Sequence, residues 1–282
     1  MNDRNFTFKH PSKQLTFTGR SRAADVTALF CPELSLGLDA GENFFGSLGT
    51  HAAVVFTHCH ADHSFGASRC VSRRRQPRFF IPISQAQLLD AFLLNSQQLT
   101  NGAVFADPTV DYECNHVTVG VQAGELHDLS ATVSFQVFEM VHSVPCVGYG
   151  FFERKKRLSP QYAGLSGPEI AALRKSGVDV THTVNDKLFA FLGDTTHAAL
   201  INNPELLEFP VVIVECSFID DVDVEQAAKT KHMHWQHLKP IVQAHAATTF
   251  VLIHFSLRYN AAHIHAFFEA EAMPNVVVFL AK

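Results

Sequence analysis

Short apolar runs rich in β-branched and aromatic residues alternate along the chain with segments of helical periodicity. Runs of this length are typical of buried strands, and their alternation with helical segments predicts an α/β protein. The predicted strands span residues 15–18, 34–38, 52–57, 78–81, 132–141, 187–192, 211–215, 249–253 and 276–280. Because the chain has no internal repeat and no low-complexity linker, we expect a single domain over residues 1–282.

Several segments between these strands carry helix signals. Ser84 is placed to cap one helix, and Pro168 stands at a favourable first position of another. Apolar periodicity also predicts helices at residues 234–245 and 261–270. Because proline cannot donate the main-chain hydrogen bond of a helix interior, Pro240 predicts a break or a restart.

Composition limits the compartment and the redox state. Residues 1–13 lack the basic start and apolar run of a secretion signal, and no apolar run has the length of a membrane span. We therefore expect a soluble intracellular protein of the cytoplasm, the nucleus or both, without a membrane partner. The six cysteines form no CxxC pair, which favours reduced thiols over a disulfide framework or a zinc knuckle.

Clusters of charged residues say more about possible binding partners than the net charge does. The formal net charge of −5 argues against binding of nucleic acid over the whole surface. Two basic runs, at residues 73–78 and 154–157, are nevertheless candidates for contacts to a phosphate backbone, since guanidinium groups match phosphate geometry. Ordinary solvated surface is the alternative interpretation of the second run.

Histidine is the unusual component of the chain, at 17 of 282 residues. His58, His60, Asp62 and His63 emerge where the strand predicted at 52–57 ends. His58 and His60 point to the same side of an extended segment, and the two later side chains can turn back toward them. Imidazole and carboxylate are the ligands that zinc prefers when no thiolate is supplied, so the segment predicts a metal site. A satisfied histidine cluster without metal is the alternative.

Three further candidate ligands also follow predicted strands. His142, Asp194 and His254 each come at the end of an apolar run. Because strands of one sheet lie side by side, residues at their ends can converge on one edge of the fold. Together with the first segment they provide five histidines and two aspartates, which suits two ions that share a bridging carboxylate.

The chain resembles the metallo-β-lactamase superfamily and, within it, the short plant-type form of ribonuclease Z, the family of tRNA 3′-processing endonucleases. The His-x-His-x-Asp-His run alone is typical of the superfamily. The narrower resemblance extends through residues 38–42, 142–150, 162–170, 176–178, 193–195, 215–218, 232–234 and 253–259. It implies a four-layer αβ/βα sandwich. The inserted arm around residues 154–183 is short here, whereas bacterial members of the family carry a long Gly- and Pro-rich arm.

The resemblance implies a site with two zinc ions, for which manganese or iron(II) could substitute. One ion would be bound by His58, His60 and His142, the other by Asp62, His63 and His254, and both by Asp194. The ions would lower the pKa of a shared water and neutralise charge on the phosphate oxygens.

The resemblance also implies roles in proton transfer. Asp62 would orient the attacking water or accept its proton, and Glu215 would hold His232 as the proton donor to the leaving oxygen. His234 is the alternative donor if that assignment fails, and it could equally be a residue on a helix face.

The implied substrate is precursor tRNA, from which the enzyme would remove the 3′ trailer, and the implied assembly is a homodimer. Ser256, Arg258, Arg73 and Arg74 are the candidate RNA contacts. Two other functions remain open. One is a hydrolase of the same fold that acts on another ester, a thioester or a small phosphodiester, and the other is a non-catalytic RNA-binding or scaffolding subunit.

Overall fold

Two mixed β-sheets pack face to face in the computed structural model, which describes residues 5–10, 13–42, 52–71, 76–102 and 116–280. Within these residues the first sheet has seven strands in chain order: β1 (Asn5–His10), β2 (Lys13–Arg22), β3 (Val26–Cys31), β4 (Leu36–Leu38), β5 (Ala53–Val55), β6 (Arg78–Pro82) and β7 (Val117–Val121). Neighbours from β1 to β4 are antiparallel, and those from β4 to β7 are parallel.

The second sheet repeats this arrangement. Its described strands are β8 (Leu126–Asp128), β9 (Val133–Glu139), β10 (Val147–Leu158), β11 (Thr181–Phe191), β12 (Val211–Glu215), β13 (Thr249–Ile253) and β14 (Val276–Val278). Neighbours from β8 to β11 are antiparallel, and those from β11 to β14 are parallel. Because β9 and β11 are both antiparallel to β10, the strands β9, β11, β12 and β13 all end at the same edge.

Helices cover the outer face of each sheet. The α-helices in the described part of the chain are α1 (Ala61–Ser64), α2 (Ala86–Asn101), α3 (Gly167–Lys175), α4 (Ala198–Asn202), α5 (Val224–Thr230), α6 (Trp235–Ala244) and α7 (Ala261–Glu271). Leu89 and Leu93 of α2 pack on the first sheet, and Trp235 of α6 and Phe268 of α7 pack on the second. The predicted αβ/βα sandwich is therefore confirmed.

The core between the sheets is built from alternate strand residues. In β12, Val211 and Ile213 face the opposing sheet, whereas Val212 and Val214 face the helices. This double burial explains why the strand reads as an uninterrupted apolar run rather than as an alternating one.

Two helix predictions need correction. Ser84 does not cap α2, because it lies in the 3-10 turn Ile83–Gln85, which continues directly into the helix. The carbonyl of Ile83 in this turn accepts a hydrogen bond from the amide of Ala86, the first residue of α2. Pro240 does not interrupt α6, which is continuous through it. Pro240 and Gln236, whose carbonyl loses its partner, are both exposed, so water can take up the missing hydrogen bond.

The segment expected as an inserted arm is an extension of one hairpin. Residues 154–158 and 181–183 belong to β10 and β11, which remain paired to their ends. The connection carries α3, which has no buried residue and begins with a capping box between Ser166 and Glu169. The expectation of a single domain stays a prediction. None of the helices in the described ranges is long and apolar enough to cross a bilayer.

Phe189 provides a test of the inter-sheet core. It is fully buried, with its ring 4.8 Å from Phe17 of the opposite sheet and 4.5 Å from Phe151. We expect Phe189→Ala to lower the free energy of unfolding by about 3–5 kcal/mol, because a ring-sized cavity opens between the sheets. Urea denaturation measures the change. Leu99→Ala, at a position 85% exposed on α2, is the control and should cost less than about 1 kcal/mol; equal losses would refute this packing.

Candidate metal centre

The candidate ligands meet at the edge where the parallel strands end. His58 and His60 follow β5, and Asp62 and His63 lie in α1 directly after them. From the second sheet, residues that follow β9, β11 and β13 reach the same edge: His142, Asp194 and His254. The site therefore lies at the junction of the two sheets, and neither sheet supplies it alone.

Asp194 joins two groups of donor atoms. In the first group, His60 Nδ1 lies 3.0 Å from His58 Nε2 and 3.3 Å from His142 Nε2. The Oδ2 atom of Asp194 lies 3.7 Å from His58 Nε2 and 3.9 Å from His142 Nε2. These four side chains can hold one cation.

The second group uses the other oxygen of Asp194. His63 Nε2 lies 3.2 Å from His254 Nε2, and both nitrogens lie within 3.7 Å of Asp62 Oδ2. The Oδ1 atom of Asp194 lies 3.3 Å from His63 Nε2 and 3.4 Å from His254 Nε2. One carboxylate thus faces both groups, which is the geometry of a bridging ligand.

Hydrogen bonds behind the rings fix which nitrogen carries a proton. His142 Nδ1 donates to the main-chain oxygen of Lys231 at 3.0 Å. His58 Nδ1 donates to the hydroxyl of Thr57 at 3.0 Å, and that hydroxyl donates in turn to Asp39. When these rings are neutral, each Nε2 presents only a lone pair to the cluster.

The second group is oriented in the same way. His63 Nδ1 donates to Asp39 Oδ2 at 2.8 Å, and His254 Nδ1 donates to the hydroxyl of Ser217 at 3.0 Å. Carboxylate, hydroxyl or carbonyl acceptors behind a metal-binding imidazole are the usual support for such ligands.

This arrangement fits a pair of cations. The ring nitrogens of His63 and His254 that face each other at 3.2 Å share at most one proton, and Asp194 Oδ1 is buried without a hydrogen-bond partner among the described residues. A cation placed between these atoms would satisfy them all. Imidazole nitrogen and carboxylate oxygen without thiolate suit zinc, manganese or iron(II). The chemistry of the donor set is therefore that of a binuclear metal site.

Burial and neighbouring charges favour the ligand forms of these groups. Burial lowers the pKa values of His58, His60 and His142, which keeps their rings neutral. Burial opposes ionisation of Asp194, but His254 and His63 overcome it and hold the pKa of this carboxyl well below its usual range. His63 differs, since Asp194 and Asp39 outweigh burial and raise its pKa. A cation bound by His63 and Asp194 would replace that proton.

Glu215 and His232 form a pair beside the donors. Glu215 ends β12, is fully buried, and accepts hydrogen bonds at Oε1 from His232 Nδ1 and from the amide of Thr195, both at 2.8 Å. The same His232 nitrogen lies 3.8 Å from Asp194 Oδ2. Burial disfavours the imidazolium, but the Glu215 carboxylate outweighs it and raises the pKa of His232 to about 9.

His234 has a different position. It is the N-cap of α6, where its Nδ1 accepts from the amide of Gln236 at 3.1 Å. Its Nε2 donates to the main-chain oxygen of Asp220 at 3.0 Å. Both ring nitrogens are therefore engaged in a helix cap, and the expectation of a helix-face residue is replaced by this buried role.

The donors open into a cleft of about 740 Å³. Asp62, Asp194, His232 and His254 line it together with Ser256, one of the candidate RNA contacts. The cleft gives a ligand direct access to the atoms that face the two groups.

Of the other candidate RNA contacts, Arg258 lies outside the described cleft lining. Arg258 forms an ion pair with Asp223, stacks over Phe218 with 5.4 Å between its guanidinium carbon and the ring centroid, and is absent from the cleft lining that the structure describes. Arg73 and Arg74 lie outside the described residues. The basic run at 154–157 is matched by carboxylates, in the ion pairs Arg154–Asp128, Lys155–Asp186, Lys155–Glu153, Lys156–Asp179 and Arg157–Asp186.

Sequence reasoning assigned no role to Asp39, Ser217 or Arg22. Asp39 and Ser217 orient ligands, as described above. Arg22 donates to the main-chain oxygens of Phe255, Ser256 and Tyr259 at 3.0, 2.7 and 2.7 Å, which fixes the loop after His254. Asp39 lies in the segment 38–42 that resembles the family, so the sequence held a signal for it. No local sequence pattern identifies Arg22, because the carbonyl of Phe255 that it contacts is 233 residues away.

Comparisons of the whole chain identify curated relatives. No family model matches the chain. The chain is 27% identical over 254 residues to tRNase Z TRZ1 of Arabidopsis thaliana, which covers 87% of each protein. It is 30% identical over 255 residues to the chloroplastic tRNase Z TRZ2 of the same plant, which covers 87% of this chain and 69% of that relative.

Solved structures agree on the fold. The human tRNase Z, short form, superposes with a TM-score of 0.57 and 17% identity over 93% of this chain and 95% of that one. The solved structures show the metallo-β-lactamase fold, and with the tRNase Z relatives and the donor set the chain is a metal-dependent hydrolase of that fold. Because the chain is 30% identical to TRZ2 over most of both proteins, it belongs to the tRNase Z, or ribonuclease Z, family.

Metal content tests the donor set. We expect purified wild type to hold about two metal ions per chain after dialysis against metal-free buffer, and His142→Ala to hold about one, because the first group loses a ligand. Elemental analysis by mass spectrometry measures both. His182→Ala, at an exposed position of β11, is the matched control and should keep the wild-type content. Wild-type content in the folded His142→Ala variant would exclude the first group as a metal site.

Proposed function

We propose that this protein is a zinc-dependent endoribonuclease that removes the 3′ trailer from precursor tRNA. The observation that carries the proposal is the Glu215–His232 pair, held 3.8 Å from the carboxylate that faces both donor groups. A phosphodiesterase needs a proton donor for its leaving oxygen as well as metal ligands, and this pair supplies one.

The metal ligands follow from the two groups. We assign His58, His60 and His142 to one ion, Asp62, His63 and His254 to the other, and Asp194 to both. Zinc is the proposed ion because tetrahedral nitrogen and oxygen sites suit it, although the same donors accept manganese or iron(II). When bound, two such cations supply Lewis acidity, which lowers the pKa of water and neutralises charge on phosphate oxygens.

Asp62 has the position of the residue that handles the nucleophile. Its Oδ2 accepts a hydrogen bond from the amide of Ala24 at 2.9 Å, and the side chain lines the cleft. This bond fixes the carboxylate, so Asp62 can orient a water molecule in the cleft and accept its proton.

His232 would complete the reaction on the opposite side of the phosphorus. With a pKa of about 9, its ring is protonated at neutral pH, and Glu215 holds Nδ1 so that the other nitrogen is free to donate. Water adds to phosphorus as the bond to the 3′ oxygen breaks, and His232 protonates that oxygen. The products are an RNA with a 3′ hydroxyl and a trailer with a 5′ phosphate.

Precursor tRNA is proposed as the substrate because the relatives at 27% and 30% identity are named tRNase Z. The homodimer expected from the resemblance stays a prediction, and so do RNA contacts through Ser256, Arg258, Arg73 and Arg74.

Cleavage of a precursor tRNA with a defined trailer tests the proposal. We expect metal-loaded wild type to release the trailer and Asp62→Ala to be inactive. His232→Ala should lower kcat by about 10²–10⁴-fold with unchanged metal content, because it removes a proton donor and no ligand. Gel analysis of single-turnover reactions measures the rates, and the controls are His182→Ala for activity and elemental analysis for metal.

Two other results of these assays would support the alternative functions. Hydrolysis of small esters or thioesters without any trailer release, at every metal loading, would indicate another substrate on the same fold. A wild-type protein that binds less than about one metal ion and cleaves neither substrate class would indicate a non-catalytic RNA-binding or scaffolding role.

A further inference from the structure

Phe65 is an exposed aromatic ring at the mouth of the metal cleft. It follows α1 directly, two residues after His63, and its side chain is 60% exposed while it lines the cleft. Exposure of so large an apolar ring is unfavourable in water unless a ligand covers it.

Among the described residues, one aromatic ring supports Phe65. Phe92 of α2 stacks on it, with 5.4 Å between the ring centroids and 23° between the ring planes. The backbone beneath is fixed, because the amide of Gly66 donates to the main-chain oxygen of Ala40 at 2.7 Å. A Cβ atom at Gly66 would lie 2.5 Å from the carbonyl carbon of Glu42, so no larger residue fits there. Phe65 is thus a supported ring that remains 60% exposed with respect to the described residues.

Apart from the His232 imidazolium, the described lining of the cleft carries no positive charge. Among the described residues none of those that line it is lysine or arginine, and Asp25 is part of the wall. Leu257, also 60% exposed, supplies a second apolar surface. Apart from the metal donors and His232, the described lining therefore offers mainly apolar contact rather than phosphate-binding charge.

We propose that Phe65 is a stacking platform for an unpaired nucleobase next to the scissile phosphate. The inference rests on the proposed function, since it takes the ligand to be RNA. Stacking of bases on aromatic side chains is tolerant of sequence, because every base has a π-face. The cleft volume of about 740 Å³ is large enough for a nucleotide. A single-stranded cleavage site would then be selected over a duplex, whose bases are already stacked.

The test compares Phe65→Leu with Phe65→Tyr on three precursor tRNAs. One substrate is intact, and the other two carry an abasic nucleotide on the 5′ or the 3′ side of the cleavage site. On the intact substrate we expect Phe65→Leu to lower kcat/KM by about 10- to 100-fold and Phe65→Tyr to stay near wild type, because leucine keeps apolar volume and tyrosine keeps the ring. Leu88→Ala, 69% exposed on α2 and outside the cleft lining, is the surface control.

The abasic substrates separate stacking from a structural effect. If Phe65 stacks on a base, the penalty of Phe65→Leu should shrink to less than about threefold on one of the two abasic substrates. An undiminished penalty on both would overturn the proposal, as would a Phe65→Leu variant with wild-type activity on the intact substrate.

A binding measurement keeps the test independent of catalysis. A single-stranded oligonucleotide with 2-aminopurine at the cleavage site should lose fluorescence on binding to wild type and to Phe65→Tyr, and much less on binding to Phe65→Leu. If wild type fails to cleave precursor tRNA but the difference in fluorescence loss between wild type and Phe65→Leu remains, the proposed function is wrong and the stacking role of Phe65 is still supported. Equal quenching by all three proteins would refute the platform whatever the cleavage result.

Discussion

The structure depends on bringing the lone pairs of five imidazoles to the two oxygens of one carboxylate at a single edge of the sandwich. Buried polar groups that face each other with too few protons to pair them all destabilise a fold, because they are removed from water and lack partners. In this chain Asp194 divides its oxygens between two such groups, and four of the five histidines are oriented by hydrogen bonds to Asp39, Thr57, Ser217 and the carbonyl of Lys231. Binding of two cations would convert this unfavourable cluster into a favourable one, so metal binding and folding should be coupled.

Strand direction is what makes the convergence possible. The antiparallel hairpin of β9 and β10 returns the chain so that β9 runs with β11, β12 and β13, and all four deliver a polar residue to one edge. The first sheet delivers its ligands after β5, and Arg22 joins the two sheets through the carbonyls that follow His254. The Glu215–His232 pair is fixed to the same frame, because Glu215 is the last residue of β12.

Much of this could be predicted from the sequence, for reasons that individual elements make clear. The apolar runs at β12 and β13 are uninterrupted because both faces are buried, so their bounds were predicted correctly. Strands β1, β3, β7, β8 and β10 were not predicted; in β10, for example, the second half mixes polar and apolar residues and is partly exposed, so it has no strong period. The residues behind the ligands were also missed, because Ser217 and Arg22 act through contacts between distant segments that no local pattern encodes. The sequence also left open whether His232 or His234 is the proton donor, because the contact of His232 with Glu215 joins segments that are distant along the chain.

The central claim is that two cations share Asp194, and anomalous diffraction tests it directly. Crystals of the metal-loaded protein, measured above and below the absorption edge of the bound metal, should give two anomalous peaks at the sheet edge. One peak should lie among His58, His60 and His142, the other among Asp62, His63 and His254, and each should contact one oxygen of Asp194. A fully loaded crystal with a single peak, or with peaks away from these donors, would contradict the account.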